Sequence, residues 1–183
     1  MDAETSRAVG AHPTRVAPSP ADQRHLRDCL GRYATGVTIV TAQAADGSFV
    51  GLTVNSFSAL SLDPPLVLWS LGDQAASVQA FVQARHFAVS VLAAGQAGLA
   101  ARFASPLSDR FAGVSLSPGL GGAPLIDGAI AWFECEVRTQ ARHGDHLLFI
   151  GEVRRCARVA GEPLVFHDSA FVTVSPPTAA AGR

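Results

Sequence analysis

TVNSFSAL, Thr53–Leu60, sets three polar side chains, Thr53, Asn55 and Ser56, beside Leu52, Val54, Phe57 and Leu60 in a stretch that otherwise reads as buried strand. A polar atom buried without a partner costs about 1–3 kcal/mol, so these groups require internal partners, water or a ligand. Two readings are open from the residues alone. Either an edge strand turns its polar residues to water, or a ligand carrying a phosphate or a heterocycle rich in donors and acceptors satisfies them.

The flanking sequence supplies strands on both sides. VTIVT (37–41) is β-branched, and Asp46-Gly47 is a hairpin turn that joins it to a strand from Phe49 to about Phe57. Asp63-Pro64-Pro65 breaks the chain, because proline lacks an amide donor, and LVLWSL (66–71) resumes as strand. Val78, Phe81 and Val82 give a short helix its apolar face, and HFAVSVL (86–92) is again strand. Residues 95–104 read as helix and 105–128, rich in Gly, Pro and Ser, as mostly loop. From Ala129 to Val137 the pattern alternates, with Ala131, Phe133, Cys135 and Val137 on one face and Glu134 and Glu136 on the other. A turn over 139–145 then leads into HLLFIGEV, and a last strand covers 163–174. Upstream, Ser19-Pro20-Ala21-Asp22 has the cap, first-turn proline and carboxylate of a helix start, and Leu26, Leu30, Tyr33 and Ala34 follow at helical spacing up to Gly36. Strands dominate without regular βαβ alternation. This pattern predicts a mainly β protein, a closed or partly closed antiparallel barrel with short peripheral helices.

Composition narrows the function. A chain of 183 residues fits one domain and can bury roughly 70% of its unfolded surface. With 48% hydrophobic and 16% charged residues and a net charge of -1, it lacks a nucleic-acid footprint. All 14 basic residues are arginine, which excludes a Schiff-base lysine and a P-loop lysine. Cys29, Cys135 and Cys156 are odd in number, have no CxxC spacing and sit among apolar residues, so they read as reduced core thiols of a cytoplasmic protein. Residues 1–18 read as a disordered tail that is neither a signal peptide nor a membrane span, and 175–183 as a frayed C-terminal tail, leaving a working domain over 19–174.

Familiar catalytic motifs are missing. No GxGxxG follows a strand, GLGGAP (119–124) has the wrong spacing, and there is no GxSxG elbow. His143-Gly-Asp-His146 spaces two histidines across a glycine turn, which does not aim both rings at one metal. No metal site is expected, and the plain reading of this run is a hairpin turn in which Asp145 bonds its own backbone.

Taken in order, ATGVTIVTA (34–42), GLTVNSFSALSLDPPLVLWSL (51–71), RHFAVSVL (85–92), PLIDGAIAWFECEV (124–137) and GDHLLFIGEV (144–153) resemble the short-chain flavin reductase family over residues 24–174. Within it, the chain looks most similar to reductase components that serve aromatic and polyketide hydroxylases. The resemblance implies an FMN-binding split β-barrel, Greek-key-like and antiparallel, that forms a homodimer with flavin near the subunit interface. It implies flavin contacts from Thr53, Val54, Asn55 and Ser56, ring and tail neighbours at Ala59 and Leu60, a phosphate-contacting hydroxyl at Ser77 and an aromatic at Phe103. Gly144, Asp145 and His146 correspond to the element beside the nicotinamide, with His146 the catalytic position. The implied cofactors are FMN or FAD and NADH or NADPH, and the implied partner is a flavin-dependent monooxygenase, with no nucleic acid and no membrane. In place of a basic residue common in the family, Asp73 follows the LWSL strand, so either a flavin phosphate takes another cation, such as Arg85 or Arg102, or this loop sits farther from it. Two other functions fit the same residues: an oxidase or reductase that keeps its flavin, and a flavin- or haem-binding module without turnover.

Overall fold

The computed structural model describes residues 17–19, 23–107 and 109–174. In chain order the elements are α1 (Gln23–Gly31), β1 (Thr35–Gly36), β2 (Thr38–Gln43), β3 (Phe49–Val54), β4 (Ser58–Leu62), β5 (Pro65–Gly72), α2 (Val78–Gln83), β6 (His86–Val91), α3 (Ala97–Ala104), β7 (Leu116–Ser117), β8 (Leu125–Ile126), β9 (Ala131–His143), β10 (His146–Arg158), β11 (Val165–His167) and β12 (Ala170–Val172). Strand dominance with short helices agrees with the sequence pattern. Among the described residues no helix is long and apolar enough to cross a membrane. The predicted helix start at Ser19–Asp22 lies mostly outside the described residues, as do the tails apart from residues 17 and 18.

Seven strands form one antiparallel sheet in the order β3-β2-β6-β9-β10-β5-β4. Its two edge strands, β3 and β4, are joined by residues 55–57 alone. Laid flat, seven strands at about 4.8 Å spacing would hold those edges about 29 Å apart. Four Cα steps reach only about 14 Å. The sheet therefore curls until its edges meet, and β3 comes to lie against β5. The ladder itself stays open, so of the closed or partly closed barrel expected from the sequence the closed form is not seen: β4 takes β5 as its partner, and among the described residues no main-chain ladder crosses from β3. A side chain bridges the seam instead. The Ser56 Oγ accepts from Ser70 N at 3.0 Å and donates to Ser70 O at 3.2 Å.

Curling separates two apolar clusters. Inside, Trp69 stacks on Phe149 at 4.5 Å and meets Phe81 and Phe87 edge-on, with Val40, Val54 and Cys135 around them. Outside, Val37, Ile39, Leu92, Phe103, Ile126 and Leu164 pack beneath α3 and the small β1-β11-β12 sheet. Alternation along β2 feeds both, Val40 and Ala42 inward and Ile39 outward.

Other expectations also change. The predicted strand to Phe57 stops at Val54, where the chain bends at Asn55 and starts β4. The turn over 139–145 shrinks to Gly144 and Asp145, because β9 runs on to His143 against β10. The single strand over 163–174 is a hairpin, with Asp168 and Ser169 at positive φ in its turn. Cys29 and Cys156 are exposed, so only Cys135 is a core thiol. Helix α1 stops at Gly31, short of the expected end at Gly36, so Tyr33 and Ala34 lie beyond it, and none of its residues is buried.

Gly151 on β10 shows how tight the inner cluster is: a Cβ there would sit 2.4 Å from Phe87 Cζ and 3.0 Å from Cys135 Cβ. Gly98 in α3 has nothing within 4 Å of that position. Gly151→Ala should therefore lose about 1–3 kcal/mol in urea unfolding. Gly98→Ala should lie between no change and a gain of about 1 kcal/mol. Equal effects at the two glycines would contradict this packing.

Candidate functional site

Alternation places Thr53, Gly51 and Phe49 of β3 on the face opposite its inner residues Val54, Leu52 and Val50, and Asn55 follows them at the bend. Along this outer face four cavities follow one another, each sharing residues with the next. The first, about 770 Å³, is lined by Thr35, Gly36, Asn55, Ser56 and Phe57, with α1 on its far side. Asn55 also belongs to the second, about 180 Å³, with Thr53, Val37 and Ala104. Thr53 and Ala104 continue into the third, about 230 Å³, with Ser77, Phe103 and Arg110. Ser77 and Arg110 then wall the fourth, about 600 Å³, together with Phe49, Gly51 and Phe111. The stretch from Asn55 to Phe49 spans about 20 Å at strand rise.

Two of the three polar residues that open the stretch find protein partners first. Thr53 Oγ1 donates to the Ala100 carbonyl at 2.7 Å, tying β3 to α3, and Ser56 holds the seam to β5. Both hydroxyl protons are thus engaged, and each oxygen keeps accepting capacity for a ligand. The Val54 side chain is buried in the inner cluster while its carbonyl accepts from Thr38 Oγ1 at 3.1 Å. Asn55 is exposed at the bend. Ala59 and Leu60 lie exposed on the β4 edge beside a register shift, and neither lines the four cavities. Ser77 precedes α2 and makes no side-chain cap bond. Phe103 is fully buried, its ring edge-on to Phe111 at 4.9 Å. Both rings press against β3 where Gly51 has no side chain: a Cβ there would meet Phe111 Cζ at 2.9 Å and Phe103 Cε1 at 3.0 Å.

Arg110 is the residue that sequence reasoning missed. Its Nη1 donates to the Gly51 carbonyl at 2.9 Å, and its Nε is buried with no hydrogen-bond partner among the described residues. An unsatisfied guanidinium donor between Ser77 and Thr53 fits a bound anion. Neither cation proposed from the sequence takes this place: Arg85 is exposed at the start of β6, and Arg102 donates to the Asp109 carbonyl at 3.0 Å. Arg110 lies in a stretch that reads as loop, and nothing in its local pattern marks it. Thr35 Oγ1, at the other end, is also buried without a partner and lines the first cavity.

Asp73 has a different role from the one its position suggested. Arg142 of β9 pairs with its carboxylate, and its amide donates to the Asp145 carbonyl at 2.9 Å, so the loop after β5 grips the β9–β10 turn. In that turn Gly144 has φ +61°, which glycine adopts without strain. His146 Nδ1 lies 2.7 Å from Asp145 Oδ1. This contact, with the bond from its own backbone, holds the Asp145 carboxyl below the usual carboxylate range. None of Gly144, Asp145 and His146 lines the four cavities; the loop that holds them continues through Gln74 into Ser77, which does. Among the described residues no group of three or more His, Cys, Asp or Glu is placed to hold a metal ion.

Burial, reinforced by Glu134 and Cys156, pushes the Cys135 thiol up to about 12. Iodoacetamide at pH 8 should therefore label two thiols in the native protein, Cys29 and Cys156, and three only after unfolding. Labelling of Cys135 in the native protein would contradict the packing of β9.

Residues 30–175 match the flavin reductase like domain family. An FMN reductase (NADH) of Agrobacterium fabrum is 43% identical over 154 residues, which is 84% of this chain and 87% of that protein. The reductase component of a flavin-dependent trigonelline monooxygenase from Acinetobacter baylyi is 39% identical over 82% of this chain, which spans about half (48%) of that protein. Among solved structures, an NADH:FAD oxidoreductase of Streptomyces globisporus in complex with NAD and FAD fragments superposes with a TM-score of 0.83 at 39% identity, covering 89% of this chain and 99% of that one.

Proposed function

The chain belongs to the flavin reductase like domain family, and from that premise we propose that it is an NAD(P)H:flavin oxidoreductase supplying reduced flavin to a partner flavin-dependent monooxygenase. The observation that carries this reading is the unbroken row of cavities along the outer face of β3, with the unpartnered Arg110 donor beside Ser77. Flavin and nicotinamide, when bound, supply the hydride chemistry, so the chain needs no nucleophile of its own.

In this reading the chain's residues bind and orient. The bend at Val54–Ser56 offers main-chain groups and the Asn55 amide to the ring, Thr53 borders the ribityl chain, and Arg110 with Ser77 meets the phosphate. Phe103 acts from beneath, as the buried floor that holds Arg110's loop to β3. His146, oriented by Asp145, holds the nicotinamide carboxamide from the turn that Asp73 and Arg142 fix.

The reading extends to assembly and architecture. A nine-residue helix is not stable alone in water, yet no residue of α1 is buried by the described part of the chain. Leu30 and Tyr33 are 63% and 77% exposed, and Leu62 on the β4 edge is 92% exposed. A second copy of the chain covers these faces in a homodimer, brings Ala59 and Leu60 to the flavin, and makes the curled sheet the split barrel of the family. The working domain is 19–174, flanked by tails.

With added flavin the protein should oxidise NADH and should lose its yellow colour on desalting; retention of flavin would favour a flavoprotein that does not release it. His146→Ala should lower kcat/KM for NADH by about tenfold or more, about 1.4 kcal/mol of transition-state stabilisation, with flavin affinity kept. A folded variant that loses flavin binding instead would contradict the role given to His146.

A further inference from the structure

The fourth cavity lies beyond the cation that ends the FMN-sized part of the track, and it is large. At about 600 Å³ it falls within the ordinary range for small-molecule sites. Its walls are unlike those of the stretch from Asn55 to Thr53. Phe49 and Phe111 stand with ring centroids 5.9 Å apart and tilted, Pro106 and Leu107 face them, and Gln74 brings an amide to the rim. Phe49 and Leu107 are 42% and 56% exposed, so two large apolar side chains face solvent where the cleft opens. Arg110 borders this cavity and the previous one alike, which puts its buried Nε at the junction.

On the reading of the chain as a flavin reductase, we infer that this cavity is an adenosine subsite and that FAD rather than FMN is the flavin this chain prefers. A ligand lying along β3 with its ring at Asn55 and its first phosphate at Arg110 has only two ways to continue. FMN ends there and leaves the aromatic cleft to water. FAD continues through a second phosphate, still within reach of the guanidinium, into a nucleoside whose purine meets the Phe49 and Phe111 rings and whose polar edge meets the Gln74 amide. Stacking of a base on an aromatic side chain is tolerant of exact geometry, and apolar side chains exposed in a cleft gain from being covered. Gly51 contributes by absence: without a side chain it lets the Phe111 and Phe103 rings pack against β3, and its carbonyl holds Arg110 beside them.

The other nucleotide in the reaction also carries adenosine, and the Asp73–Asp145 contact puts the turn bearing His146 next to the loop that contains Gln74. Continuity decides between them. The fourth cavity shares Ala76, Ser77 and Arg110 with the third, so it extends the row that begins at Asn55, whereas none of Gly144, Asp145 and His146 lines it.

Equilibrium titration of the purified protein with FAD, FMN and riboflavin, followed by flavin fluorescence quenching without any nicotinamide, tests this. FAD should bind about tenfold or more tighter than FMN, the scale of one base stacked on an aromatic side chain. Phe49→Ala should remove most of that difference by weakening FAD while leaving FMN unchanged, and the unchanged FMN affinity shows that the variant is folded. Arg110→Gln should weaken FAD and FMN together and leave riboflavin, which has no phosphate, as in the original protein. Equal affinities for FAD and FMN overturn the inference while leaving the flavin reductase reading intact. So does a Phe49→Ala protein that keeps its preference for FAD, or one that loses affinity for NADH instead. If no flavin binds the folded protein, the reading of the function itself has failed.

Discussion

A three-residue joint between opposite edges of a seven-stranded sheet governs this structure. Residues 55–57 cannot span a flat sheet, so the sheet must curl, and every other feature takes its position from that curl. One face becomes an interior large enough for Trp69 stacked on Phe149. The other remains outside for α3 and the β1-β11-β12 sheet to cover in part. Part of the outer face of β3 is covered as well, through Thr53 on Ala100 and the Phe103 and Phe111 rings at Gly51, and the proposed cofactor track runs along what stays open.

The joint also explains the polar residues of the Thr53–Leu60 stretch. Ser56 closes the seam through Ser70 where no ladder crosses, and Thr53 fastens β3 to α3 through Ala100. Thr53 and Ser56 have structural partners before any ligand arrives, whereas Asn55 stands exposed at the bend, so the two readings of the stretch are not exclusive. Of the three buried side-chain groups that keep no partner among the described residues, Trp69 Nε1 lies in the inner cluster, and the other two border the track, Thr35 Oγ1 at one end and Arg110 Nε farther along it. An unsatisfied buried donor costs stability in the free chain, and a ligand that accepts from it recovers that cost on binding. Partnered and unpartnered polar groups thus both line the proposed track.

Much of this was legible in the sequence because the signals were local. Asp46-Gly47, the β-branched run at 37–41 and the alternation over 131–137 each point to one element, and each element is present. The misses come from contacts distant in sequence. Nothing near Asn55 announces that β3 ends there, because the break follows from β4 pairing with β5 across Asp63–Pro65. Arg110 sits in a loop-like stretch and becomes significant only because α3 and Phe111 bring it to Gly51, 59 residues away in the chain. Asp73 looked misplaced beside a phosphate because its partner, Arg142, is 69 residues distant. The helical spacing of Leu26 and Leu30 is present in α1, but periodicity does not say what covers them, and no described part of the chain buries them.

The central claim is that the bend joining the two sheet edges is where flavin docks, with the track along β3 leading away from it. Backbone amide shifts recorded by heteronuclear NMR on a ¹⁵N-labelled sample, as FMN is added, test this most directly. The account predicts that the largest perturbations fall on residues 53–56 and on Ser77 and Arg110, while amides of the inner strands, such as those of Trp69 and Phe149, stay in place. Perturbations confined to another cleft, such as the one between Gln43 and Pro124, would contradict it.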